Sequence, residues 1–118
     1  MIPFNVPPYY GLEDQYILEA IHNHKISGDG AFTKRCHAEL EKMSGSRKVL
    51  LTTSCTSALE LAAILCDIKS GDEVILPSFT FSSTANAFAL RGVTLVFVDV
   101  DPKTMNIDPR NVADAVTK

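Results

Sequence analysis

Apolar residues change their spacing near residue 48. Before it they recur at helical intervals; after it short, unbroken apolar runs alternate with helical stretches. Residues 12–23 place Tyr16, Ile17, Ala20 and Ile21 on one side of a helix. Residues 32–43 do the same with Phe32, Cys36, Leu40 and Met43, and Ser44-Gly45-Ser46 ends that helix. Ser27-Gly28-Asp29-Gly30 between them is a turn cluster. The opening stretch, with Pro3, Pro7, Pro8, Tyr9, Tyr10 and Gly11, reads as an extended arm.

From residue 48 the pattern switches. Residues 49–53, rich in branched side chains, have the pattern of a buried strand. Ser54-Cys55-Thr56-Ser57 then turns into an apolar helix over 58–65, which Ser70-Gly71-Asp72 separates from a strand at 74–76, closed by Pro77. Ser82 or Ser83 is placed to cap a helix through Ala85, Ala87, Phe88 and Leu90. Arg91-Gly92 ends it, and residues 93–98 form a third strand. Asp108-Pro109 pairs an N-cap with proline at the first helical position and starts a last helix running to Lys118. Strand and helix alternating in this way predict an α/β fold: a mainly parallel sheet with covering helices, preceded by a helical arm. The expected division is an arm over 1–47 and an α/β part over 48–118.

Composition narrows the function classes. The 118 residues suffice for one modest core, and 46% hydrophobic with 21% charged residues describes a globular chain. A net charge of -3 gives no electrostatic reason to expect nucleic acid or an anionic membrane as partner. The first residues lack the basic and apolar regions of a signal peptide, and the longest apolar stretch is too short to cross a bilayer, so the expected compartment is the cytoplasm. Cys36, Cys55 and Cys66 are odd in number and form no metal-binding pair.

Two stretches carry candidate chemistry. At Thr53-Ser54-Cys55-Thr56-Ser57 a helix begins, and unpaired N–H groups at a helix start attract anions. The same residues also suit a simple cap made by Ser54 or Thr56. Neither a dinucleotide fingerprint nor a P-loop is present. Pro77-Ser78-Phe79-Thr80-Phe81-Ser82-Ser83-Thr84 follows a strand's carboxyl end, where ligands collect on open α/β sheets. Its aromatics suit either stacking on a flat ring or lidding a local core. His22, His24 and His37 have no metal-ligand spacing and read as solvated or satisfied side chains. Cys55 reads as a small, semi-buried turn residue, with a lowered-pKa nucleophile as the alternative. Asp99 and Asp101 read as turn and capping groups, with metal or ribose binding as the alternative.

Together these stretches resemble the DegT/DnrJ/EryC1/StrS sugar aminotransferases. Ser54 through Ala62 matches the family's serine-glycine-threonine-alanine motif, with Cys55 in the glycine position. Gly71 through Ala87 matches its GDEVI-proline-aromatic-threonine-aromatic-x-serine/alanine-threonine motif. Ile2-Pro3-Phe4, Ser27-Gly28-Asp29-Gly30 and Phe97-Val98-Asp99-Val100 fit the same template, so the likeness covers the whole chain. Within the family the nearest likeness is to the dTDP-4-oxo-6-deoxyglucose transaminases of enterobacterial common antigen synthesis. It rests on Pro3-Phe4-Asn5, Ser54-Cys55-Thr56, Ser83 through Phe88 and Thr104 through Asp108.

The resemblance implies part of a fold-type-I large domain that binds pyridoxal phosphate (PLP). Cys55, Thr56 and Ser57 would hold the cofactor's phosphate, and Phe81 would stack on its pyridine ring. The reaction would move an amino group, usually from glutamate, onto a keto carbon of a nucleotide-linked sugar. A homo-oligomer is implied, with the segment at Ser27 to Gly30 reaching an active site at a subunit interface. The family's Schiff-base lysine, the aspartate at the pyridine nitrogen and the small carboxyl-terminal domain fall beyond position 118. The chain alone is therefore expected to be inactive. In the family's sheet the strand near Leu50 lies beside one that this chain lacks, so self-association or altered pairing is expected there. A stand-alone, non-catalytic module for phosphate ligands or assembly is the competing reading.

Overall fold

The computed structural model describes residues 1–117, and the chain splits into two compact units, Met1–Leu51 and Thr52–Lys118.

The first unit carries two helices, α1 (Glu13–His22) and α2 (Ala31–Ser44). The Glu13 carboxylate starts α1 by accepting the N–H groups of Tyr10 at 2.9 Å and Gly11 at 2.8 Å. Those bonds, Tyr10's first, hold its carboxyl below the usual carboxylate range. Gly45, at φ +69°, ends α2 in the left-handed conformation that glycine adopts without strain. Tyr16 of α1 meets Phe32 of α2 edge to face, with ring centres 5.4 Å apart, and the Arg35 guanidinium lies over both rings. Neither helix has a fully buried residue.

Two expectations fail at α2 and the residues that follow it. Residues 49–53 form no strand, and Leu50 is 64% exposed. A strand exists only as a ladder, and here side chains of α2 take the backbone donors instead. Glu41 Oε1 accepts the Val49 N–H at 3.1 Å, and His37 Nε2 accepts the Leu51 N–H at 3.0 Å. The covered side of α2 is accordingly Phe32, Thr33, His37 and Glu41, while Cys36, Leu40 and Met43 are exposed. Accepting the Val49 N–H, and next the pairing with Lys48, lowers the Glu41 pKa.

The second unit runs α3 (Cys55–Leu65), β1 (Glu73–Pro77), α4 (Ser82–Ala89), β2 (Thr94–Val98) and α5 (Pro109–Ala115). The two strands pair in parallel, from Glu73 opposite Thr94 to Pro77 opposite Val98. Their unbroken apolar runs, Val74-Ile75-Leu76 and Leu95-Val96-Phe97-Val98, suit a sheet covered on both faces. Helix α4 packs against both strands and against α3, and α5 packs on β2. The core is Ala63 of α3, Leu76 of β1, Ala87 of α4 and Val98 of β2. Small side chains at Ala63 and Ala87 suit the close α3–α4 approach. The expected α/β architecture is present, and adjacent parallel strands flanking α4 agree with a partial fold-type-I domain.

Differences from expectation lie at element ends. Helix α4 is entered from Phe81, with no side-chain cap, so neither Ser82 nor Ser83 caps it. Asp108 caps α5 by accepting the Arg110 N–H at 2.9 Å, as its position before Pro109 predicted. That helix stops at Ala115, where Val116 turns extended; the expected end at Lys118 lies outside the described residues.

Candidate functional site

The start of α3 is built from hydroxyl side chains. Ser54, in extended conformation, is its N-cap, and its Oγ accepts the Ser57 N–H at 3.0 Å. Ser57 Oγ lies 3.1 Å from Ser54 Oγ and 3.2 Å from Thr53 Oγ1. Thr52 Oγ1 donates to the Ser54 carbonyl at 2.8 Å. The cap reading is thus correct for Ser54 but not for Thr56. Cys55 and Thr56, the first two helical residues, have N–H groups with no carbonyl a turn behind them to pair with. Two such donors, with the helix dipole behind them, attract an anion. Cys55 is exposed, not semi-buried. Thr56 and Ser57 are half-buried.

The second stretch follows β1. Ser78 N–H donates to the Val98 carbonyl at 2.8 Å, and Ser78 Oγ donates to Asp99 Oδ1 at 3.3 Å. Thr80 and Thr84 pair their hydroxyls at 3.0 Å, and the Thr84 N–H donates to the Phe81 carbonyl at 2.9 Å. Phe81 is 75% exposed and Phe79 is also exposed, so neither lids the local core. Packing of α3 on α4 brings the two stretches into one unit. A groove of about 430 Å³ between these helices is lined by Thr56 and Glu60 from one and Ser83, Asn86, Ala89 and Leu90 from the other.

The remaining candidates are structural. Asp101 Oδ1 accepts the N–H groups of Lys103 at 2.7 Å and Thr104 at 3.4 Å, which makes it a turn residue. The Asp99 carbonyl accepts the Asn111 side-chain amide at 3.2 Å, tying β2 to α5. Asp108, nearly buried, takes both Nε and Nη2 of Arg110, at 3.1 and 2.7 Å. The Arg110 guanidinium is the main reason its carboxyl lies below the usual range. His37 is an acceptor for the chain, and among the described residues no group of three or more His, Cys, Asp or Glu could hold a metal ion. Nor is any described helix long and apolar enough to cross a membrane.

Sequence reasoning placed Ser78, Thr80 and Thr84 in the candidate stretch, the two threonines within the family motif, but gave none of them a bracing role. Thr80 and Thr84 stand four apart across a helix start, a spacing that could have marked them. Ser78 bonds across 21 positions, which no local pattern reveals.

Comparison with known proteins adds a family. The DegT/DnrJ/EryC1/StrS aminotransferase family model matches residues 10–118. The spore coat polysaccharide biosynthesis protein SpsC of Bacillus subtilis is 37% identical over 116 residues, covering 98% of this chain and 30% of that protein. The dTDP-4-dehydro-2,3,6-trideoxy-D-glucose 4-aminotransferase of Saccharopolyspora spinosa is 36% identical over 112 residues, covering 93% and 29%. Among solved structures, a GDP-4-keto-6-deoxymannose-3-dehydratase with a trapped PLP-glutamate geminal diamine superposes with a TM-score of 0.87 at 26% identity, covering 98% of this chain and 31% of that one. The chain therefore spans between 20% and 32% of the length of the curated relatives it matches.

Proposed function

We propose, because this chain belongs to the DegT/DnrJ/EryC1/StrS aminotransferase family, that it forms the phosphate-and-ring platform of a PLP-dependent sugar aminotransferase. The observation that carries this reading is the start of α3. It offers the unpartnered N–H groups of Cys55 and Thr56 beside the Ser57 hydroxyl. Cys55, Thr56 and Ser57 hold the cofactor phosphate, and the exposed Phe81 ring stacks on the pyridine. These groups suit the cofactor: two backbone donors and a hydroxyl for a phosphate, and a free aromatic face for a flat ring. Bound there, PLP supplies an electron sink for moving an amino group. This chain's residues bind and orient it.

The parent activity is amino transfer from an amino acid, glutamate by preference, to a nucleotide-linked keto-deoxysugar in cell-surface polysaccharide synthesis. The sugar is read as dTDP-4-oxo-6-deoxyglucose, as in enterobacterial common antigen synthesis. The residues supporting that finer reading are Pro3-Phe4-Asn5, Cys55 in the family's glycine position and Thr104 through Asp108. Relatives named for dTDP-, GDP- and UDP-linked sugars support the coarser reading of a nucleotide-linked sugar. The working enzyme is read as a cytoplasmic homo-oligomer.

By itself the 118-residue chain is read as inactive, since none of its lysines, Lys25, Lys34, Lys42, Lys48, Lys69, Lys103 or Lys118, stands in the family's catalytic context. Adding PLP, reducing with borohydride and weighing the peptides tests this. The expected product has no lysine labelled stoichiometrically. Complete labelling of one lysine would overturn the claim that the chain lacks its reactive amine.

A further inference from the structure

An exposed aromatic ring stacks well only if its backbone is already held, because ordering a loose loop on binding consumes affinity. Phe81 sits on a four-residue loop, 78–81, between β1 and α4. Its side chain is open to solvent, yet the loop is fastened at both ends. At the first end the Ser78 N–H extends the parallel ladder past Pro77 to the Val98 carbonyl, and Ser78 Oγ reaches Asp99 Oδ1. At the second end Phe81 offers no side-chain cap, being phenylalanine where helices prefer serine, threonine, aspartate or asparagine. The Thr80–Thr84 hydroxyl pair spans that uncapped turn at 3.0 Å, and the Thr84 N–H closes onto the Phe81 carbonyl at 2.9 Å. The hydroxyl pair therefore flanks the residue that carries the ring.

We propose that Thr80 and Thr84 are positioning residues, whose paired hydroxyls fix the Phe81 ring as a preformed stacking platform for the cofactor's pyridine. This rests on the cofactor site proposed above. Neither threonine need touch the cofactor; both act through the turn that holds Phe81.

The test compares two ligands on the 118-residue chain. Inorganic phosphate probes the start of α3 alone, and PLP probes phosphate site and ring platform together. Thr80→Val keeps the side chain's shape and removes its hydroxyl. It is expected to weaken PLP binding about fivefold, the worth of one net hydrogen bond, while phosphate binding stays within twofold. Thr84→Val is expected to behave likewise, and Thr80→Ser, which restores a hydroxyl, to recover PLP binding. In a Phe81→Leu background Thr80→Val should cost nothing further, because the ring it positions is gone. Equal losses for phosphate and PLP, or an undiminished Thr80→Val effect without the Phe81 ring, would overturn the inference. Wild-type chain binding phosphate but gaining nothing from the PLP ring would overturn it too, while leaving the phosphate site standing. Failure to bind phosphate at all would bring down the cofactor site and this inference with it.

Discussion

Substitutions at Ser54 separate two jobs that share one side chain. Ser54 Oγ accepts the Ser57 N–H at 3.0 Å and contacts the Ser57 hydroxyl at 3.1 Å. Ser54→Ala removes the N-cap. Such losses cost about 1 kcal/mol, and the exposed turn, where water can replace the lost acceptor, places this one no higher. For a unit the size of Thr52–Lys118 that lowers the melting temperature by about 4–8 °C. Ser54→Asp keeps the cap, because aspartate caps as well as serine, and adds a negative charge at the helix's positive end. Stability should hold or rise. A phosphate dianion bound at Cys55 and Thr56, however, would then face a carboxylate on the neighbouring residue, for which a separation of about 5 Å is assumed. Even with water's dielectric that repulsion is about 1.7 kcal/mol, more than tenfold in affinity. Urea unfolding followed by circular dichroism reads the first effect, and calorimetric titration with inorganic phosphate the second. If Ser54→Asp binds phosphate as tightly as wild type, the anion does not sit at the start of α3. If it is as unstable as Ser54→Ala, the cap argument is wrong.

Other positions extend the account. Leu76→Ala removes the largest buried side chain of the core and should cost about 2–5 kcal/mol by urea unfolding; a cost under about 1 kcal/mol would deny that β1 is the centre of that core. Gly71, at φ +98° between α3 and β1, should lose about 1–2 kcal/mol as Gly71→Ala, although its Cβ would meet no atom within 4 Å. Asp108 bears on acid stability. Its folded-state pKa is lowered, so its stabilisation is full above the ordinary aspartate range and drains away as pH falls through the folded value. Asp108→Asn keeps a competent cap but should flatten the loss of stability below about pH 4, measured by unfolding across pH; an unchanged acid profile would show that the Arg110 pairing does not matter.

How much of this was legible in the sequence depends on how local each cause is. Helices α1 to α4 were legible from helical spacing and nearby stop residues, although the face expected of α2 is not its covered one, and α5 and the end at Gly45 follow from cap chemistry within a few positions. The β1–β2 pair follows from two apolar runs flanking a helical stretch. Residues 49–53 misled, because strand propensity says nothing of whether a partner exists, and His37 and Glu41 supply the hydrogen bonds instead. Cys55, Thr56, Ser57 and Phe81 were singled out by motif, while local physics alone favoured a simple cap over an anion site at the start of α3. Of the brace on Phe81, the Thr80–Thr84 pair had a readable spacing, while the Ser78 to Asp99 bond stayed hidden because it exists only once two strands align.

The central claim, a PLP platform at Cys55, Thr56, Ser57 and Phe81, is tested most directly by titrating PLP into the isotopically labelled chain and following backbone amide and aromatic resonances. The account predicts saturable shifts at the Cys55, Thr56 and Ser57 amides and at the Phe81 ring, all with one dissociation constant. Saturation elsewhere with those resonances unmoved would contradict it.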